Sequence, residues 1–274
     1  MKYLEYPLFA EGYVNRFLTA GVFTEVQQFD KVKLHGRVNE WLKKGFAIHE
    51  NPCRKEFVRK RQENMPDYLE LDGATDGKNV EVFGQTRPLI PYFPFGNTGV
   101  DGSGFYYCPT WLRMYSYVLL EAERDCDVEF ELETCGGVTI WVDGAFVTDF
   151  TPFTRNMVKK TTVVLPLKAG KNRLLVCLDD LAERDTDYYF RLKRLGDAAL
   201  TMLVPVRDEV DADVIGRMEN MLDQMYFDKE AYISETVKLN ISNPFSCPLP
   251  VTVAVAPGEF IEKMEGQESL VRTF

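Results

Sequence analysis

Between residues 126 and 178 apolar and polar positions alternate so regularly that only extended backbone accommodates them. Val128, Phe130 and Leu132 fall on one side of residues 126–134, and Asp127, Glu129, Glu131 and Glu133 fall on the other, which is a strand with one dry face. After Gly136-Gly137 a second strand sets Val138, Ile140 and Val142 against an opposite-facing Trp141. Asp143-Gly144 then supplies the positive φ values of a tight two-residue hairpin, and the chain returns through Ala145, Phe146 and Val147. Residues 162–167 and 173–178 form a further strand pair about the reversal Lys168-Ala169-Gly170-Lys171-Asn172. The four strands are expected as one antiparallel meander, with Val128, Phe130, Leu132, Val138, Ile140, Val142, Leu174 and Val176 in the core.

The flanking pattern extends this sheet in both directions. Residues 13–29 cluster Phe17, Leu18, Val22, Phe23, Val26 and Phe29 around Gly21, which suits one or two strands. Strand character fades over residues 38–64, and residues 52–65 predict a short flanking helix with Glu56 and Lys60 at ion-pair spacing. Asp72-Gly73 and Asp76-Gly77 mark turns around brief strands. Pro88, Pro91, Pro94 and the glycine-rich residues 96–104 then predict a long irregular surface loop. The sheet resumes at residues 105–120, and residues 188–192 give a last aromatic strand. Over residues 208–225, Val210, Val214, Met218, Met221, Leu222 and Met225 recur every three or four positions, predicting an amphipathic helix whose methionine-bearing stripe packs on the sandwich. Residues 231–242 and 251–256 read as two more strands separated by Asn243-Pro244.

The stretch GGVTIWVDGAFVTDFTPFTRNM, followed by LPLKAGKNRLLVCLDD, resembles the sugar-binding jelly-roll domain of family-two glycoside hydrolases and, more widely, galactose-binding-like β-sandwiches. There a strand ending in Trp-Val-Asn-Gly turns back, and a later Gly-x-Asn-x-Leu-x-Val strand closes the sheet; here Asp143 stands where Asn is commoner. The resemblance covers roughly residues 100–195. It implies an all-β antiparallel jelly-roll β-sandwich, expected over residues 1–200 with an N-terminal extension; the periodic helix makes 201–228 a helical linker, and the two strands beyond it resemble the first strands of an immunoglobulin-like sandwich, expected as a partial domain at 229–274. A complete domain of that last kind needs about 100 residues and about seven strands. The chain is accordingly expected to be the N-terminal piece of a longer protein.

Charge narrows the partners. The 274 residues carry a formal net charge of −10, which opposes nucleic acid and anionic membranes as partners. The expected partner is a carbohydrate or an adjacent catalytic domain. Residues 1–21 interleave Lys2, Glu5, Glu11 and Arg16 with apolar positions, so cytoplasmic residence is expected. Cys53, Cys108, Cys126, Cys135, Cys177 and Cys247 are scattered without a CxxC pair and are expected as reduced, mostly buried thiols. Cys126 and Cys135 are the one pair that strand pairing could bring close. The Asn240-Ile241-Ser242 sequon is read as chance.

Catalytic motifs are sparse. His35 and His49 are the only histidines, and the His49 and Cys53 pair is interrupted by Pro52 and has no second pair, so no metal site and no cofactor are expected. Gly99, Gly102 and Gly104 precede an aromatic strand where a phosphate loop needs a helix. A loop holding Asn97 and Asp101 is the plainer reading, with calcium a remote alternative. The cationic run Arg54, Lys55, Arg59, Lys60 and Arg61 reads as a solvated helix face. For sugar contact, Trp111, Arg113 and Tyr115 alternate on one strand face, Trp141 opposes an apolar face, and Asp149 and Arg155 follow the hairpin. These six are the carbohydrate-binding candidates, with the tryptophans as stacking planes and the charged groups as hydroxyl partners. They are expected to give affinity near millimolar, about −4 kcal/mol.

Three functions compete. The first is a noncatalytic carbohydrate-binding or structural module of a larger glycoside-hydrolase-like protein. The second is a complete hydrolase using paired carboxylates at glycosidase separation. The third is a protein interaction module contacting partners through Trp141 and the methionine-bearing helix.

Overall fold

A computed structural model describes residues 1–9, 12–26, 69–152, 154–227, 239–248, 252–255 and 270–273. The expected helix at residues 52–65 and the run Arg54 to Arg61 lie outside these described residues, as do His35, His49 and Cys53. The chain divides into two compact units, Met1–Val210 and Asp211–Phe274.

The first unit is an antiparallel β-sandwich. Its larger sheet runs in the order β1 (Lys2–Leu8), β14 (Leu200–Val206), β7 (Gly104–Ala122), β12 (Gly170–Thr186), β9 (Gly137–Val142) and β10 (Ala145–Phe150). In addition, β2 (Leu18–Val26) pairs with β7 and with β5 (Ile90–Pro91). The smaller sheet has the order β11 (Lys159–Leu167), β8 (Cys126–Thr134), β13 (Tyr189–Arg194) and β6 (Val100–Asp101). A separate two-strand ladder joins β3 (Asn79–Val82) to β4 (Gln85–Pro88). The eight residues expected in the core are all buried, none above 4% exposed. The sheets are tied where the Tyr188 hydroxyl donates to the Leu178 carbonyl at 2.5 Å, and where Phe17 and Phe190 meet edge to face at 5.6 Å.

Strand identities follow the alternation, but the pairing does not form one meander. β11 pairs with β8 in the smaller sheet, whereas β12 lies between β7 and β9 in the larger. Between β8 and β12 the chain therefore changes sheet three times, at residues 135–136, between β10 and β11, and at residues 168–169. Side-chain alternation marks a buried face without saying which sheet owns it, so both arrangements suit the same pattern. The first crossing requires a bare backbone: a Cβ on Gly136 would lie 2.8 Å from the Asp179 carbonyl oxygen. At the third, buried Asn172 takes over backbone bonding. Its Oδ1 accepts from Lys168 N at 2.7 Å, while its Nδ2 donates to the carbonyls of Lys168, Gly170 and Leu120.

Three further expectations change. The irregular loop at residues 88–104 contains β5 and β6, two-residue pairings short enough for Pro91 to sit in one without interrupting a long ladder. Residues 201–206, expected in the linker, continue β14, which pairs with β1 along its whole length and with β7 from Leu200 to Leu203. Cys126 opens nine-residue β8 and Cys135 follows its last residue, so the extended strand separates them. Both are free thiols, as are Cys108, Cys177 and Cys247.

In the second unit, helix α1 (Ala212–Asp223) begins after Asp211, whose Oδ1 accepts from the amides of Asp213 at 3.0 Å and Val214 at 3.2 Å. This cap explains why the helix starts later than its apolar period. Met221 is buried, and the Arg217 guanidinium lies 4.7 Å from the Phe245 ring centroid. Two short ladders complete the described part, β15 (Tyr226–Phe227) with β16 (Leu239–Asn240) and β17 (Thr252–Val255) with β18 (Leu270–Thr273).

Candidate functional site

Residues that are partners across an antiparallel ladder share a face of the sheet. On β7 and β12 the pairs Trp111 with Leu181, Arg113 with Asp179, Tyr115 with Cys177 and Tyr117 with Leu175 therefore stand on one face. The register continues through β9 and β10. Cys177 lies opposite Thr139, which lies opposite Asp149, and Leu175 lies opposite Trp141, which lies opposite Phe146. Five of the six carbohydrate candidates, Trp111, Arg113, Tyr115, Trp141 and Asp149, are thus assembled on a single sheet face. The sixth, Arg155, lies in the turn after β10, where its Nη2 donates to the Asp185 carbonyl at 3.2 Å.

Burial corrects the expectation of exposed stacking planes. Trp111, Arg113, Tyr115 and Trp141 are all buried, so a pyranose has no open indole plane at either tryptophan. Only Asp149, on edge strand β10, is exposed, and Arg155 is half-buried. Alternation placed these residues on a common face correctly. It carried no information about the cover on that face, and β7 is buried on both sides from Thr110 to Leu120.

The centre of this face is a polar cluster inside the core. Arg113 holds Asp179 through two bonds, Nε to Oδ1 at 2.6 Å and Nη2 to Oδ2 at 2.9 Å, and its Nη1 lies 3.4 Å from the Tyr115 hydroxyl. Cys177 Sγ lies 3.6 Å from Asp179 Oδ2. Burial opposes the guanidinium charge, but the neighbouring Cys177 and Asp179 outweigh it and raise the Arg113 pKa further. Burial, reinforced by Asp179, pushes the Cys177 thiol well above its ordinary range, and burial likewise raises the Tyr115 and Tyr188 hydroxyls. Cys135 is pushed up to about 11 by burial. At neutral pH these thiols are protonated, which is the wrong state for a nucleophile. The arrangement holds a fixed, neutralised charge pair in a dry interior; its chemistry is positional.

Gly99 and Gly102 have packing roles. A Cβ on Gly99 would fall 2.2 Å from the Phe190 carbonyl oxygen, and one on Gly102 2.8 Å from Val22 Cγ2. Asp101 Oδ1 accepts from Ser103 N at 2.8 Å and so closes its own turn. Among the described residues no group of three or more His, Cys, Asp or Glu is placed to hold a metal ion.

A different surface group was not singled out from the sequence. Phe105 and Tyr107, at the start of β7, meet edge to face with ring centroids 5.1 Å apart, and Tyr107 is 74% exposed. Phe105 lies opposite the exposed Asp185 on β12. The next turn is clamped alongside: Asn156 Nδ2 donates to the Asp185 carbonyl at 3.0 Å, and Asn156 Oδ1 accepts from Asp187 N at 2.8 Å. The available signal was parity, since Phe105 and Tyr107 continue the alternation of Trp111, Arg113 and Tyr115 toward the end of the sheet.

The sequence matches no family model and no curated protein. Among solved structures, the chain is similar to a beta-glucosidase from Kluyveromyces marxianus in complex with glucose, at 13% identity and a TM-score of 0.31, over 51% of this chain and 17% of that one. It is also similar to a GH31 alpha-xylosidase from Xanthomonas citri, at 15% identity and a TM-score of 0.24, over 40% of this chain and 13% of that one. The chain spans less than a fifth of the length of either protein. Its own strands define it as an all-β sandwich protein, and no helix among the described residues is long and apolar enough to cross a membrane.

Proposed function

We propose that this chain is a noncatalytic carbohydrate-binding or structural module of a larger glycoside-hydrolase-like protein, with a carbohydrate or an adjacent catalytic domain as its partner. The observation that carries the reading is the joining of the two segments on which the sequence resemblance rests. The Trp141-Val142-Asp143-Gly144 hairpin and the strand beginning Gly170-Lys171-Asn172 are neighbours, with Val142 opposite Leu174 and Ile140 opposite Val176. Asp143 and Gly144 adopt φ of 49° and 81°, as the tight turn requires. Asp143 N donates to the Arg173 carbonyl at 2.9 Å, and Arg173 N donates back to Asp143 Oδ1 at 3.0 Å. An Asp therefore closes this turn with a side-chain acceptor in the position where Asn is commoner in the resembling domains. The buried Arg113 and Asp179 pair, at the Gly137 end of β9, supports a scaffold or binding role.

The test has two arms on the purified chain. Titration calorimetry against neutral mono- and oligosaccharides is expected to show millimolar binding, and aryl glycosides are expected to show no turnover. Turnover that persists through further purification and vanishes on replacing one specific carboxylate would replace this reading with the hydrolase.

A further inference from the structure

We infer that the end of the β7 and β12 ribbon is a contact site for a neutral pyranose, with Tyr107 as the stacking plane and Asp185 and Arg155 as hydroxyl partners. The inference rests on the carbohydrate part of the proposed function and moves the sugar contact away from the buried tryptophans. Three observations converge there. The first is an exposed ring held in orientation: Tyr107 is 74% exposed, and Phe105 fixes it from the side at 5.1 Å. The second is an exposed carboxylate on the same face as Phe105, because Asp185 is the ladder partner of that residue. The third is a firmly placed guanidinium. Arg155 reaches the Asp185 carbonyl from the adjoining turn, which is closed by Thr154 Oγ1 donating to the Met157 carbonyl at 2.7 Å and by Asn156 at φ 52°.

Charge selects the class of ligand. Asp185 and Arg155 put one charge of each sign beside the aromatic pair, while Arg184, opposite Tyr106, falls on the other face, so the rim has no net sign to attract a phosphate or repel a neutral molecule. The net charge of −10 over the whole chain disfavours polyanions and anionic membranes. A neutral sugar ring matches the remaining features. Its apolar face covers Tyr107, and its rim hydroxyls donate to the Asp185 carboxylate and accept from Arg155. Asp185 lies at the end of β12 and Arg155 in a hydrogen-bonded turn, which limits the ordering cost on binding.

The experiment measures cellobiose, lactose, maltose, xylobiose and, as the anionic comparison, glucuronate binding to the full chain by calorimetry and saturation-transfer NMR, for the parent and for Tyr107→Ala, Tyr107→Phe, Asp185→Asn and Phe146→Ala. Phe146 is a control, an exposed aromatic on edge strand β10. Expected are about tenfold losses of affinity in Tyr107→Ala and Asp185→Asn, near-parent affinity in Tyr107→Phe and Phe146→Ala, and unchanged melting temperatures throughout. If a sugar binds but neither Tyr107→Ala nor Asp185→Asn weakens it, this site is wrong and the broader sugar-binding reading stands. If no sugar binds the parent at high millimolar concentration, the site and the carbohydrate half of the proposed function both fall. Binding confined to an anionic sugar such as glucuronate would overturn the neutral-ligand assignment.

Discussion

Arg113 and Asp179 face each other directly across β7 and β12 as a bidentate pair, both almost completely buried. Such a pair recovers its desolvation cost through geometry, and removing one member leaves the other charge stranded in the core. Asp179→Ala is therefore expected to destabilise the sandwich by about 3–5 kcal/mol. Replacing both members with apolar residues, Arg113→Met with Asp179→Leu, is expected to recover most of that loss. Urea denaturation midpoints decide the point: equal losses in the single and double variants would show that the damage is to packing and not to stranded charge.

Phe130 tests the core in a simpler way, because no polar partner is involved. It is fully buried on β8, whereas Val164, on neighbouring β11 and on the opposite parity to buried Val163 and Leu165, is 45% exposed. Phe130→Ala is expected to cost about 3–5 kcal/mol through lost burial and a residual cavity. Val164→Ala is expected to stay within about 0.5 kcal/mol of the parent. Comparable shifts in the two midpoints would contradict the assigned faces.

These two residues also show what the sequence could disclose. Phe130 was legible because strict alternation with Glu129 and Glu131 labels its face, and the Asp143-Gly144 turn was legible because few dipeptides adopt two positive φ values. The pairing of β11 with β8 was not legible, since a period of two names a face and never a neighbour. For the candidate site, parity correctly grouped Trp111, Arg113 and Tyr115 and set Trp141 opposite Ile140. It could not reveal that the second face is covered too, because a strand buried on both sides loses its polar half. Asp179 was invisible as a partner of Arg113 for a different reason: their meeting depends on the register of two strands, the residues lying 66 positions apart.

Thiol reactivity gives an independent reading of burial. Cys108 and Cys247 are exposed, Cys126 is half-buried, and Cys135 and Cys177 are buried with their pKa values raised chiefly by desolvation. In a Cys53→Ser chain, Ellman's reagent at about pH 8 is expected to modify Cys108 and Cys247 rapidly and Cys135 and Cys177 only on unfolding. Mass mapping of the labelled peptides identifies each thiol. Fast native-state labelling of Cys177 would mean that the Arg113 and Asp179 face is open to solvent.

Glu133 gives the chain a defined acid sensitivity. Its Oε1 accepts from Arg191 Nη1 at 2.6 Å, and its Oε2 lies 2.9 Å from Lys160 Nζ, linking the three strands β8, β11 and β13. Partial burial works to raise its pKa, but the hydrogen bonds and charges of Lys160 and Arg191 prevail and hold it below the usual carboxylate value. A depressed folded pKa means that unfolding takes up a proton, so the stabilisation is complete above the unfolded value of about 4.3 and is lost as pH falls through the lower folded value. Melting temperatures measured from about pH 6 down to about pH 3 are therefore expected to fall less steeply in Glu133→Gln than in the parent. The two curves should differ most at the upper end, where the parent carboxylate is ionised, and converge in acid. Parallel curves, or a gap that widens as pH falls, would show that Glu133 is not held in its charged form by Lys160 and Arg191.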